Sequence, residues 1–294
     1  MAEVIDVAGT VPAGIRTTPR RRSGGAGPGG RAGIIGLTIL ALFVLLTVLA
    51  PWISPYGPSE IDGDQVLGGP SAEHLLGNDE LGRDVLTRLL YSYRVSFVIA
   101  VASVAFSLPL GVLLGTLAGY FGRVVDNVIM RPIEMLMAFP ALLLSLAMIS
   151  ILGSGVAVTV AAITVIYLPV FARIARASTQ VVANELYIQA ARTRGTSTAA
   201  ILTRHVIPNA LAPCIVQAAI AAAWAIQIEA ALSFLGLGVQ PPTPSLGTML
   251  AQGQGFLTQA PWIGIFPGLS LALTVLAFNL IGDWLRARLE NGTA

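Results

Sequence analysis

Residues 184–213 read NELYIQAARTRGTSTAAILTRHVIPNALAP, the longest polar interruption between apolar runs in the second half of the chain. The segment is not built like a flexible loop. Ala190, Ala191 and their neighbours favour helix, and Leu186, Ile188 and Ala190 supply apolar positions in its first half. Gly195 predicts a stop, because glycine alone enters the left-handed conformation of a helix C-terminus without steric cost. Thr196, Ser197 and Thr198 offer N-cap hydroxyls for a second short helix, Ala199 to Val206, expected to end before Pro208. The pattern predicts helix, glycine elbow, helix, lying outside a bilayer between two membrane spans. A segment folded this firmly reads as a docking surface rather than a tether.

Composition points to the bilayer independently. The chain has 294 residues, 55% of them hydrophobic and 11% charged, with a mean hydropathy of +0.78. An average soluble domain carries about 25% charged residues. The formal net charge is +2, and every basic side chain is Arg, since the sequence contains no Lys. A P-loop needs its Lys to reach the phosphates, so a Walker-type ATPase is excluded and any ATP-driven role must borrow a partner's nucleotide site. The single cysteine, Cys214, excludes an intrachain disulfide. His74, His205 and Cys214 lie in separate segments without metal-ligand spacing, so no metal site is expected.

Taken in order, residues 1–33 are rich in Ala, Gly, Pro and Arg, including Arg20, Arg21, Arg22 and Arg31, and are expected to be disordered. A basic tail of this kind sets membrane topology more readily than it binds nucleic acid. Residues 34–53 are a first span of twenty uncharged residues, thirteen of them Leu, Ile, Val or Phe. At about −0.4 kcal/mol each, these supply on the order of −5 kcal/mol toward insertion. The run exceeds the 7–15 apolar residues usual in a signal peptide and reads as uncleaved.

Residues 54–94 form a polar extracytoplasmic loop, with a short helix or turn expected over Gly77 to Arg88. Its outer-face motif, Asp79, Glu80, Gly82, Arg83 and Asp84, reads either as a proton-relay or binding cluster or as a salt-bridged cap over a pore mouth. The second span covers residues 95–118, where Gly111, Gly115 and Gly119 make a double small-xxx-small stripe for close helix packing. A substrate path along that stripe is the alternative. A short basic turn is expected over 120–132, then spans over 135–152 and 156–171 joined by Gly153, Ser154 and Gly155.

The loop 173–210 follows, then a fifth span over 211–232 carrying Glu229, either a partnered structural residue or a gate residue. A proline- and glycine-rich outer loop over 236–260 leads to a sixth span from Trp262 to about Ile281 and a tail at 289–294. Six spans put both termini on one side. That side holds fourteen Arg, against only Arg83, Arg88 and Arg94 opposite, so both termini and the loop 173–210 are expected to be cytoplasmic.

Three motifs together resemble a known family. Gln189-Ala190-Ala191, Gly195 and Ile207-Pro208-Asn209 resemble the cytoplasmic "EAA" loop of ABC importer permeases. LLGNDELGRDVLTRLL (Leu75 to Leu90) and ALSFLGLGVQPPTPSLGTML (Ala231 to Leu250) extend the likeness, over roughly residues 34–288, to a permease subunit of dipeptide/oligopeptide/nickel importers. The resemblance implies an all-α polytopic protein of the plasma (inner) membrane, with six transmembrane helices, the type I ABC importer permease fold and a cytoplasmic coupling helix. Residues 95–288 would form a five-helix permease core. Glu185, Gln189, Ala190, Ala191, Gly195, Thr198, Ala199, Leu202, Arg204 and Pro208 would make the ATPase-coupling loop, although Gln189 replaces the acidic residue that names it.

The implied partners are a second homologous permease, two cytoplasmic ATP-binding subunits, an extracytoplasmic solute-binding protein and the lipid bilayer, with no nucleic acid. No cofactor is expected on this chain, ATP and Mg residing on the partner ATPases, and no catalytic residue is assigned. Short peptides are the implied substrate, with nickel or another small solute as the alternative. A self-sufficient ion-coupled carrier or an intramembrane enzyme needs several intramembrane ionisable residues, and these spans hold only Glu229.

Overall fold

A computed structural model describes residues 28–292; the tail expectation for residues 1–27 lies outside them. Ten helices carry the fold: α1 (Pro28–Ile53), α2 (Val85–Phe121), α3 (Arg123–Met137), α4 (Ala141–Leu152), α5 (Val156–Ala183), α6 (Leu186–Thr193), α7 (Thr198–Ile201), α8 (Ile207–Phe234), α9 (Leu246–Gly253) and α10 (Trp262–Gly292). Helix α1 begins at Pro28, so residues 28–33, expected in the disordered tail, are helical. Proline suits a helix's first position, where its missing N–H has no partner to lose. Helix α2 starts at Val85, ten residues before the expected span, because the Asp84 carboxylate caps it by accepting from the Thr87 N–H.

The expected basic turn over 120–132 is instead helix α3, an amphipathic segment that buries Met130 and Ile133. It follows a sharp reversal in which Gly122 and Arg123 both take positive φ, +60° and +41°. Consequently the third span is not a straight helix over 135–152. Helices α3 and α4 form a pair bent by 94° at the break before Pro140 and Ala141.

The glycine stripe determines how this pair runs. A Cβ on Gly111 would meet Phe171 at 2.5 Å, one on Gly115 the Ala172 carbonyl at 2.1 Å, and one on Gly119 the Arg176 carbonyl at 2.7 Å. Residue numbers rise together along α2 and α5, so the two helices lie parallel, backbone against backbone. In lipid such contact is stabilised by van der Waals packing, which small residues maximise. Parallel helices joined in sequence require a return crossing between them. Asp126, early in α3, is level with Arg176 through a bidentate ion pair of 2.5 Å, whereas α4 ends at the turn that starts α5 at Val156. Twenty residues of α5 separate these levels, roughly 30 Å of helix. The bent pair therefore makes one crossing, which with the five long apolar helices gives six.

Helix α8 returns beside α2 and α5, and Ile99, Ile163, Phe171, Ala225, Ile226 and Leu232 form the main buried cluster among them. Helix α1 packs antiparallel on α10, where a Cβ on Gly36 would meet the Ala277 carbonyl at 2.7 Å. The start of α1, the end of α10 and the segment 184–206 thus share one face of the bundle. Residues 54–84 and 235–261 share the other.

Candidate functional site: the two faces of the bundle

On the first face the chain leaves α5, turns at Asn184, and enters α6 with Glu185 as its N-cap residue. Helix α6 closes as a Schellman motif: the Gly195 N–H donates to the Arg192 carbonyl (3.0 Å) and the Thr196 N–H to Ala191 (3.1 Å). Gly195 takes φ +76°, the left-handed elbow expected of it. Ser197 then caps α7, accepting from the Ala200 N–H at 3.4 Å. The expected second helix does not end before Pro208. A π-helical turn over Leu202–Val206 joins α7 to α8, and Thr198–Phe234 runs on as 37 helical residues. An α-helical turn would press the Pro208 ring against the carbonyl four residues back, and the wider π turn relieves that contact.

The underside of this unit is a small core of Ile188, Ala191, Ile201 and Val206, with Tyr120 and Leu202 packed against it. The Arg192 guanidinium sits 4.9 Å over the Tyr120 ring, tying α6 to the end of α2. Its outer surface is free: Glu185, Gln189, Ala190, Gly195, Thr198, Ala199, Arg204 and Pro208 are all exposed. Leu186 is 80% exposed and Tyr187 beside it 45%. In the sequence Leu186 counts only as an apolar helix position, and Tyr120 only as the start of the expected basic turn. An apolar residue on a polar loop was the available signal for the first; nothing local marked the second.

The opposite face is closed upon itself. Asp79 Oδ2 receives Arg83 Nε at 2.7 Å and lies 3.3 Å from Arg88 Nε, while Arg83 Nη2 donates to Glu80 at 2.9 Å. Asp84 pairs with His74 at 3.0 Å and accepts from both the N–H and the hydroxyl of Thr87. Ser54 hydrogen-bonds the same Thr87 hydroxyl, bringing the end of α1 to the start of α2. Arg88 also donates to Gln252 of α9 (2.9 Å), and Trp262 Nε1 to the Asn78 carbonyl (3.1 Å). Asp79, Arg83 and Asp84 are buried, and each charged side chain of the motif is paired within the chain. Between the faces, Glu229 is fully buried and held by serine hydroxyls, those of Ser96 and Ser233 among them.

Five long apolar helices and a bent sixth crossing, with a folded loop on the face holding the described chain ends, make an all-helical multi-pass membrane protein. Likeness to known proteins identifies its fold as that of a type I ABC importer permease. The family model described as "binding-protein-dependent transport system inner membrane component" matches residues 111–294, and that of the "N-terminal TM domain of oligopeptide transport permease C" matches residues 31–70. The chain belongs to the first of these families. It is 45% identical to the di/tripeptide transport system permease protein of Pseudomonas aeruginosa (strain UCBPP-PA14), over 87% of this chain and 86% of that one. It is 41% identical to the glutathione transport system permease protein of Pectobacterium atrosepticum, over 85% and 84%. Among solved structures, an inward-facing conformation of the MetNI methionine ABC transporter matches with TM-score 0.52 and 20% identity, covering 69% of this chain and 95% of that one. That likeness speaks to the fold.

Proposed function

We propose that this chain forms half of the translocation pathway of an ATP-driven importer of short peptides. Its termini and the segment 184–206 face the cytoplasm, where α6 and α7 dock on one of two ATP-binding subunits that carry ATP and Mg. A second permease of the same kind completes the pathway, and an extracytoplasmic binding protein delivers the solute. The observation that carries the reading is the free surface of the α6–elbow–α7 unit, rigid beneath and exposed above, continuous through α8 with the core. The Arg distribution supports its cytoplasmic placement. Relatives named for di/tripeptide, dipeptide and glutathione transport support short peptides over nickel.

Two measurements test this. Single cysteines at exposed Ser71 and Thr243 should react with an impermeant reagent from outside intact cells, and one at exposed Ser197 only after permeabilisation. Labelling of Ser197→Cys from outside overturns the orientation. Vesicles holding the assembled importer should take up labelled dipeptide only with ATP. Uptake driven by an ion gradient with ATP removed would support a self-sufficient carrier instead.

A further inference from the structure

The stretch Ala231 to Leu250 is singled out by its motif, yet docking on an ATPase makes no use of it. Its residues converge on Glu229. Ser96 Oγ of α2 donates to Glu229 Oε2 at 2.9 Å, and Ser233 Oγ, one turn on in α8, donates to Oε1 at 2.8 Å. The same Ser233 hydroxyl accepts from the Val239 N–H at 3.0 Å, holding the start of the outer loop. A Cβ on Gly238 would lie 2.3 Å from that hydroxyl, and one on Gly247 of α9 would lie 2.1 Å from the Ala230 carbonyl. Ser245 and Thr248 form a capping box that starts α9 just where it meets α8. Glu229 has no exposed surface, and among the described residues no cation pairs with it.

An ionisable side chain in an apolar span is costly unless its place demands it. Here Ser96 and Ser233 each donate to one carboxyl oxygen from different helices, and Ser245, the cap of α9, is a third hydroxyl bonded to the same carboxyl group. We propose that Glu229 is a positioning residue of transport: the Ser96–Glu229–Ser233 knot fastens α2, α8 and the outer loop bearing α9 into one unit. The helix that ends in this knot begins at Thr198 in the docking loop and runs unbroken to Phe234. Its 37 residues span roughly 55 Å, so a displacement imposed on α7 reaches the outer face as movement of α9. This inference rests on the docking reading above.

The test uses the fully assembled importer, with partner permease, ATPases and binding protein, in lipid nanodiscs and vesicles. Glu229→Leu should keep the ATPase bound and hydrolysing, while dipeptide moved per ATP falls at least tenfold. Glu229→Gln, which retains an acceptor and the shape, should stay within about threefold. Ser96→Ala should lower coupling alone and add nothing in the Glu229→Leu background, as expected of one knot. Should Glu229→Leu fail to assemble, Ser96→Ala and Ser233→Ala decide the matter on the same ratio. Normal coupling in Glu229→Leu, or in both serine variants, overturns the proposal, as does a Glu229→Gln loss equal to that of Leu. Loss of ATPase binding in Gly195→Val bears on the docking reading, whereas the knot is read only with the ATPase bound.

Discussion

Gly82 and Gly195 take nearly the same positive φ, +79° and +76°, on opposite faces of the bundle, in opposite surroundings. A Cβ on Gly82 would lie 1.9 Å from the Asp62 carbonyl, whereas one on Gly195 would meet nothing within 4 Å. Beside Gly82, Asp79, Arg83 and Asp84 are buried and paired within the chain; around Gly195, Arg192, Arg194 and Arg204 are exposed. The face of Gly82 is tied together by its own side chains, and the face of Gly195 leaves an exposed surface over a small buried core. The same residue type therefore answers to internal packing at one site and, on the proposed docking, to a partner's surface at the other. Substitutions should separate the two roles.

The largest effect is expected at Gly82. Gly82→Val adds both forbidden φ and a collision with backbone, and it disrupts the cap that starts α2 through Asp84. The strain alone costs about 1–3 kcal/mol, and the collision adds to it. Folded, monodisperse protein recovered from membranes should drop at least tenfold by size-exclusion profile. Near-normal recovery would mean that the outer cap is not part of what holds the fold.

Gly195→Val should do the reverse. With open space around the Cβ, the penalty is that of a β-branched residue at positive φ, about 1–2 kcal/mol. No span is touched, so recovery from membranes should match wild type. Transport should fall at least tenfold if α7 docks on an ATPase as proposed, because an opened elbow would misalign it. Gly195→Ala should fall less. Co-purification of the ATPase, transport and hydrolysis measured together give the comparison its sharpest form. Normal transport by Gly195→Val with the ATPase bound would reduce the elbow to a connector.

These two glycines also mark what was legible in the sequence. The elbow at Gly195 and the hydroxyl cap at Ser197 are local events, readable from residue type and spacing. The glycine stripe was readable as a packing face, but its partner and parallel sense depend on α5, far along the chain. The bent third crossing was missed because the basic residues of 120–132 suggested a turn, while Met130 and Ile133 gain their burial only against α2 and α5. Glu229 stood out as costly, but the donor that explains it, Ser96, lies 133 residues away. Pairings of that range leave no mark on local spacing.

An intermediate effect is expected where the face bearing Gly195 is itself tied down. Arg176 grips Asp126 through two 2.5 Å bonds, the link that sets the level of α3 against α5. Both side chains are partly exposed, 31% and 17%, so solvent screens the pair and its loss should cost about 1 kcal/mol. Arg176→Ala should lower Tm by a few degrees and leave ATPase binding intact. Arg176→Lys should recover little, since an ammonium cannot reproduce a planar two-bond grip. An unchanged Tm would show that the α3–α5 crossing is held by its apolar contacts alone.

The smallest effect belongs to Gln189, the position where this loop departs from the acidic residue of the motif it resembles. Its side-chain amide donates to the Asn184 carbonyl at 3.1 Å, at an exposed site where water can replace the bond. Gln189→Glu forfeits that donor, a net loss of about 0.5–1 kcal/mol at most. In exchange the carboxylate sits near the N-terminus of α6, where the helix dipole favours negative charge by about 0.3–1 kcal/mol. Arg192, one turn on, adds an opposite charge at the i+3 position, worth about 0.2–0.5 kcal/mol. The terms nearly cancel, and none touches the φ of Gly195 or the buried Ile188–Ile201 core. Transport and ATPase co-purification should therefore stay within twofold of wild type, and rising salt should not widen the gap. A tenfold change in either direction would mean that a partner's charge reads position 189 directly, and the exposed face of α6 would then be an electrostatic contact as well as a shaped one.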